Sequence, residues 1–486
     1  MTKEYPGGSV GRDDPRYETL RRGFNLRWVG DPDSIALPGS ADQVREIVQS
    51  AVDSGRRVTV RSGGHCYEDF AVGNVDGVIV DMAAMAGAYF DEARGAYCVE
   101  AGATLWNVIW TLYKLYDKAL PTGSCYSVGA GGHISGGGYG LLARKYGLIV
   151  DLLDAVEIVT VDCEGRAAVT IAEKDGEAAE LLWACQGGGG GNYGIITRFW
   201  FRDLPPAPAE AYLVNLAWDW DGMTEDELAE IVGRYGAFLE ANSAPGGPFD
   251  GLFALLHLNH KTAGGQIVLT AQYVGDEPER LIEFADFMSA EGVREPVGQR
   301  QSVGLNFFPH PTTAMQRLPW LYATQSLDQS GPNRRGKYKS AYMNRPFPDS
   351  QVKAMWRFLT DDLDNNQALI QVDSYGGAVN AIASDATAIP QRSSIMKLQF
   401  QAYWVDPADG DKNLAWIRGL YEAMYGAAGP VPDGVMDGCY VNYPDVDLVD
   451  WQHLYYQGNY PRLQQVKADW DPLDVFNHAQ SVELPG

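Results

Sequence analysis

A strand that runs into two glycines and a histidine is the first place in this chain where residue types and spacing could do chemistry. Alternation over Arg57-Val58-Thr59-Val60-Arg61 predicts a strand, and Ser62-Gly63-Gly64 ends it in a tight turn whose N–H groups are free to approach an anion. His65 follows on the rim of that turn. A nucleophile beside a phosphate cradle is what a covalently tethered dinucleotide cofactor requires. Further on, Gly123-Ser124-Cys125 precedes a second glycine-rich run, from Gly129 to Gly140, that contains Gly132, His133, Gly137, Gly138 and Tyr139. Its setting exposes both the backbone and the side chain of Cys125, whereas His133 reads as satisfying a backbone partner. A third run is five consecutive glycines, 187–191, which no helix or strand interior tolerates. Well-patterned apolar segments flank it, so it reads as a loop pressed against a ligand or another backbone.

The elements that must hold these runs alternate. Apolar residues at 44, 47, 48, 51 and 52, with Ser40 as N-cap and Gly55 as stop, predict a short amphipathic helix ahead of the strand. Strands are expected over 77–82, 96–101 and 147–162, a helix over 105–116, and a hairpin turn at Glu164-Gly165. The Pro-rich stretch Leu204-Pro205-Pro206-Ala207-Pro208 is the clear linker signal and sets a boundary there. Beyond it, strands at 251–258, 266–274, 368–373 and 396–404 interleave with helices at 224–240 and 277–288, predicting an antiparallel sheet backed by helices. The closing segment, 464–476, reads as a last helix and turn returning to the first domain. The fold class is α+β, in two domains: 1–205 with 425–486, and 206–424 between them. Within the second, Gln371 and Asp373 share a strand face, and a carboxylate beside Ile370 and Val372 needs an outward face or a partner.

Composition narrows the function. The chain has 486 residues, 45% hydrophobic and 21% charged, with 55 glycines that fall in clusters rather than in a repeat. Sixty-three acidic against 38 basic residues give a net charge of -25, a field that repels nucleic acid and anionic lipid. The start lacks the apolar core of a secretory signal and no run of eighteen apolar residues occurs, so the expected location is cytoplasmic, with no membrane partner. Six cysteines and seven histidines show no metal-type spacing and no disulfide framework. Monomer and homodimer stay equally open.

Taken together, Arg61-Ser62-Gly63-Gly64-His65, Gly123-Ser124-Cys125, Gly138-Tyr139-Gly140, the glycines 187–191 with Asn192 to Thr197, Tyr440-Val441-Asn442-Tyr443-Pro444-Asp445, and Asp471-Pro472 with Phe476 resemble the berberine-bridge-enzyme-like family of FAD-linked oxidases. Six separated motifs in order carry the likeness almost end to end, and it is nearest to the branch that oxidises oligosaccharides or the sugars of glycosylated antibiotics. The resemblance implies a vanillyl-alcohol-oxidase-type FAD domain built from both chain ends, with FAD bonded twice, through His65 and Cys125. It implies a cofactor set of Arg61, Ser62, Gly63, Gly64, Gly132, Gly137, Gly138, Tyr139, Gly189, Gly190 and Ile195. It also implies Tyr443 as the base, supported by Asp373, and Tyr67, Gln371, Tyr375, Gln401 and Tyr440 along the substrate cleft. The chain departs from the family pattern at Gln186 and Cys66.

The expected reaction is oxidation of a hydroxyl or hemiacetal carbon on a sugar or glycosylated natural product, with hydride going to flavin N5 and oxygen reduced to hydrogen peroxide. The alternatives are a flavin oxidase of an alkaloid or polyketide, including oxidative cyclisation, and a flavin- or sugar-binding protein without turnover.

Overall fold

Residues 7–290, 292–297, 315–365 and 367–486 are described in the computed structural model, and their strands form three sheets. The first holds β1 (Gly8–Gly11), β2 (Ser34–Leu37), β3 (Val58–Arg61) and β4 (Val78–Asp81), in the order β1-β2-β4-β3. β4 lies parallel to both β2 and β3, a pairing that requires crossover connections. Helix Ala41–Asp53 supplies one between β2 and β3. Ser40 Oγ caps it by accepting the Gln43 N–H, and Val44, Val48 and Ala51 form its buried stripe.

The second sheet is antiparallel: β5 (Ala88–Asp91), β6 (Ala96–Glu100), β7 (Ala155–Val161), β8 (Ala167–Glu173) and β9 (Ile195–Phe201), ordered β5-β6-β9-β7-β8. The strand expected over 147–162 is shorter than its apolar pattern suggested. The Asp151 carboxylate accepts the Leu148 N–H at 2.8 Å and folds 149–152 into a 3-10 turn, so that only Ala155–Val161 pairs.

The third sheet has seven antiparallel strands: β10 (Glu210–Asp219), β11 (Leu252–Asn259), β12 (Gln266–Tyr273), β13 (Gln316–Pro319), β14 (Arg335–Met343), β15 (Ala368–Ser374) and β16 (Met396–Trp404). Their order is β13-β10-β12-β11-β15-β16-β14. Helices Glu279–Met288 and Gly410–Tyr425 pack on it. The chain passes from the second sheet to the third between Phe201 and Glu210, across the Pro-rich stretch.

The last helix, Tyr460–Trp470, is tied back to the five-glycine run. Lys467, fully buried, pairs with Asp471 at 2.6 Å and donates to the carbonyls of Asn192 and Phe476, both at 2.8 Å. Among the described residues no helix is long and apolar enough to cross a membrane, and no group of three or more His, Cys, Asp or Glu could hold a metal.

Candidate active site

One cavity of about 340 Å³, within the size range of small-molecule sites, takes in all three glycine-rich segments. Ser62, Gly63 and Gly64 line it from the end of β3, Gly132 from the short helix Ala130–Ser135, and Gly189 and Gly190 from the five-glycine run. His65 and Cys125 open onto the same space.

The walls fit FAD. A Cβ at Gly132 would meet nothing within 4 Å and one at Gly190 only Ser135 Oγ at 3.1 Å, so both present bare backbone to the cavity. Gly63 and Gly129, by contrast, hold two turns in direct contact: a Cβ on either would fall within 2.3 Å of the other's nitrogen.

The attachment candidates differ in state. The His65 ring stacks on Phe24 at 4.2 Å, and its Nε2 lies 2.9 Å from Ser127 Oγ, while Nδ1 has no hydrogen-bond partner among the described residues. Burial pushes His65 down to about 4, so the ring is neutral at physiological pH. Burial first, and then the Asp328 carboxylate, push the Cys125 thiol up to about 12. It rests as a thiol, half-buried rather than exposed as the sequence suggested.

Two other histidines face the cavity. His133 Nε2 accepts the Gly123 N–H at 3.1 Å, and the His478 ring stacks on Phe70 at 4.4 Å. Burial pushes each from 6.5 down to about 4. Between those values the unfolded chain binds protons that the folded chain refuses, so these rings stabilise the fold above pH 6.5 and that stability is lost as pH falls towards 4. Urea unfolding across this window is expected to lose stability on the order of 3 kcal/mol per histidine at most, with His478→Gln showing a shallower fall. A profile that stays flat between pH 6.5 and 4 contradicts their neutrality.

Tyr443, Asp373 and Gln371 line the same cavity. Asp373, the expected support of Tyr443, reaches it through a third residue. Lys397, fully buried on β16, makes an ion pair with Asp373 and donates to Tyr443 Oη at 3.1 Å. Its ammonium also lies 4.4 Å from the centre of the Tyr443 ring. Asp373 accepts a further bond from Gln371 Nε2 at 2.6 Å. Burial first, and then the Asp373 charge, hold the Tyr443 phenol well above its ordinary range. The ammonium at its oxygen opposes both.

From this centre a polar floor runs across the sheet. Gln371 Oε1 meets His257 Nε2 and Gln401 Nε2, both at 3.2 Å; Gln401 also donates to Gln399 at 2.9 Å, and Gln399 donates to Tyr67 Oη at 2.6 Å. Tyr67 stacks on Tyr338 with centroids 3.5 Å apart. Tyr440 lines the cavity beside Tyr443, its hydroxyl accepting from Asn442 at 3.0 Å. Tyr139 lines it too and donates its hydroxyl to the Ser374 carbonyl.

Several sequence-predicted residues lie elsewhere. Ile195 faces the core and pairs with Val159; with alternate residues on opposite faces, Ile196 is the one at the cavity. Tyr375 is fully buried behind Tyr139, with its hydroxyl on the Gln391 carbonyl at 3.2 Å. Gly137 and Gly138 pack against Ile389 and Ile149 instead of lining the cavity. Gln401 acts within the floor through Gln371 and Gln399 rather than on the cavity wall. Arg61 touches the cavity, but its guanidinium is committed to Asp81 and to the carbonyls of Leu20 and Arg22. At the family departure Gln186, the amide donates to the Val150 and Leu153 carbonyls at 3.0 and 3.3 Å.

Comparison with known proteins agrees with this geometry. Residues 32–168 match the FAD binding domain family and residues 439–483 the family described as berberine and berberine like. The chain is 42% identical to the aclacinomycin-N/aclacinomycin-A oxidase of Streptomyces galilaeus, over 98% of this chain and 90% of that one. It is 35% identical to the hexose oxidase of Chondrus crispus, over 98% and 94%. A solved glycopeptide hexose oxidase in complex with teicoplanin superposes with a TM-score of 0.92, at 36% identity and 99% coverage of both chains.

Proposed function

Because this chain belongs to the berberine-bridge-enzyme-like family of FAD-linked oxidases, we propose that it oxidises a hydroxyl or hemiacetal carbon on a sugar or a glycosylated natural product, with dioxygen as final acceptor. Relatives named for aclacinomycin, hexose and glycopeptide hexose oxidation support this substrate class.

The observation that carries the reading is the Asp373–Lys397–Tyr443 relay at the cavity that is also lined by His65 and Cys125. The chemistry bound FAD supplies is two-electron acceptance from a carbon–hydrogen bond and return of the electrons to dioxygen. The chain supplies the rest. Tyr443 Oη takes the proton of the substrate hydroxyl, Lys397 stabilises the phenolate that must form first, and Asp373, ion-paired with Lys397, holds its amine against that oxygen. Tyr67, Gln371 and Gln399 offer an aromatic face and amide groups to a sugar ring. His65 and Cys125 hold the cofactor through two covalent bonds, so that an open cleft suffices to keep it in place. The Pro-rich crossing between the second and third sheets, and the return of the last helix to the five-glycine run, support a cofactor domain of 1–205 with 425–486 and a substrate domain of 206–424.

The holoenzyme is to be screened under oxygen against mono- and oligosaccharides, glycosides and their free aglycones. Peroxide release with a new carbonyl or lactone on a sugar carbon is the expected result. Oxidation of free aglycones alone, or of nothing in the panel, contradicts it.

A further inference from the structure

The Cys125 turn is held by a loop from another part of the chain. Helix Trp320–Ser326, next to the third sheet, ends in the segment 327–330, and one carboxylate oxygen there collects three donors. Asp328 Oδ1 accepts the N–H of Tyr126 at 3.0 Å, the N–H of Ser330 at 3.0 Å and the Ser330 hydroxyl at 2.7 Å. Ser330 Oγ in turn accepts the N–H of Ser127 at 3.1 Å. The two residues after Cys125 therefore give their backbone donors to a segment about two hundred residues away. Gln329 and Ser330 line the cavity next to Cys125, and Ser127 carries the hydroxyl that engages His65 Nε2.

We propose that the 328–330 loop is a positioning element that presents Cys125 for covalent attachment, with Asp328 and Ser330 as its two holding residues. Cys125 sits in a glycine-rich stretch with little rigidity of its own, so its sulfur keeps one direction only if something fixes the backbone that follows. The loop does this with two consecutive amide bonds. Burial and then the Asp328 charge keep the Cys125 sulfur a thiol, against the Ser124 hydroxyl and the Gln329 N–H, which favour its thiolate; what Asp328 contributes is therefore the position of the backbone and not the ionisation of the sulfur. Forming the thioether replaces the Cys125 S–H bond and one ring C–H bond by a C–S bond. The two electrons and two protons released leave with dioxygen as hydrogen peroxide.

This inference rests on the proposed double attachment, and peptide mass analysis tests the two separately. The acid-denatured holoenzyme is digested, and flavin is measured on the peptides containing Cys125 and His65. Wild-type chain is expected to carry flavin on both; a bare Cys125 peptide overturns the attachment reading and the loop's role with it. Given a doubly attached wild type, Asp328→Ala is expected to lower the flavin on Cys125 about tenfold while the His65 peptide stays loaded. Ser330→Ala is expected to act in the same direction, and Ser330→Thr, which keeps the hydroxyl, to restore attachment. The serine pair reads the inference alone should Asp328→Ala fail to fold. Undiminished Cys125 attachment in the folded Ala variants overturns it.

Discussion

Tyr443→Phe is expected to lower kcat on the best substrate by between about one hundred and ten thousand fold, the range spanned by loss of a positioned general base, with KM changed far less. The substitution removes one oxygen. It leaves the ring against Tyr440 at 5.0 Å and Tyr67 at 5.5 Å, so the aromatic packing and the cavity shape persist. What is lost is the only phenol oxygen that a fully buried ammonium addresses among the described residues. Tyr440→Phe is the control, because that hydroxyl bonds Asn442 and the Tyr139 N–H and takes no hydrogen bond from Lys397 among the described residues, whose charge reaches it only through space. The pair of variants separates a base from a packed aromatic: a Tyr443→Phe enzyme as active as Tyr440→Phe removes Tyr443 from the mechanism.

Lys397→Met is expected to affect stability and activity together, by two separable routes. Asp373 is buried, and without its partner an uncompensated charge stays in the sheet, which costs about 3–5 kcal/mol. Adding Asp373→Asn removes that charge, so the double variant is expected to be more stable than Lys397→Met alone. Activity follows the phenol. Burial, and then the Asp373 charge, already raise Tyr443, and loss of the ammonium raises it further. The limb of the pH–rate profile on which activity rises should therefore move to higher pH, with kcat/KM falling about tenfold at fixed pH for each unit of that move. Lys397→Arg is not expected to rescue it, because a planar guanidinium does not place one donor where the ammonium does. A single variant with wild-type stability and an unmoved profile contradicts the relay.

Much of this was legible in the residues. The amphipathic helix Ala41–Asp53, the strand ending at Arg61 and the glycine runs follow from periodicity and from the conformations only glycine adopts. His65 and Cys125, the proposed anchor pair, stood out by their place among the glycine-rich motifs. What stayed hidden depends on register. Lys397 alternates with Leu398 and Phe400 along β16 and reads as the solvated side of an amphipathic strand. Only the pairing of Asp373 with Lys397 across β15 and β16 turns that polar side into a cleft floor, and no local pattern encodes which residues of two distant strands face each other. Ile195 misses the cavity by one residue for the same reason: period two puts Ile196 there. Tyr375 follows the last residue of β15 and precedes Gly376 at φ +91°, so the alternation that carries Gln371 and Asp373 to the cleft ends before it. The 328–330 loop carried no signal, since its role lies in donors taken from Tyr126 and Ser127.

The decisive measurement is anaerobic mixing of the FAD-loaded enzyme with the best glycoside from the screen, following the visible flavin band in the wild type and in Tyr443→Phe. A single-turnover bleaching is expected in the wild type and, in the variant, the same bleaching slowed by the factor seen in kcat. A wild-type band that no sugar or glycoside bleaches, or a Tyr443→Phe enzyme that bleaches as fast as wild type, contradicts it.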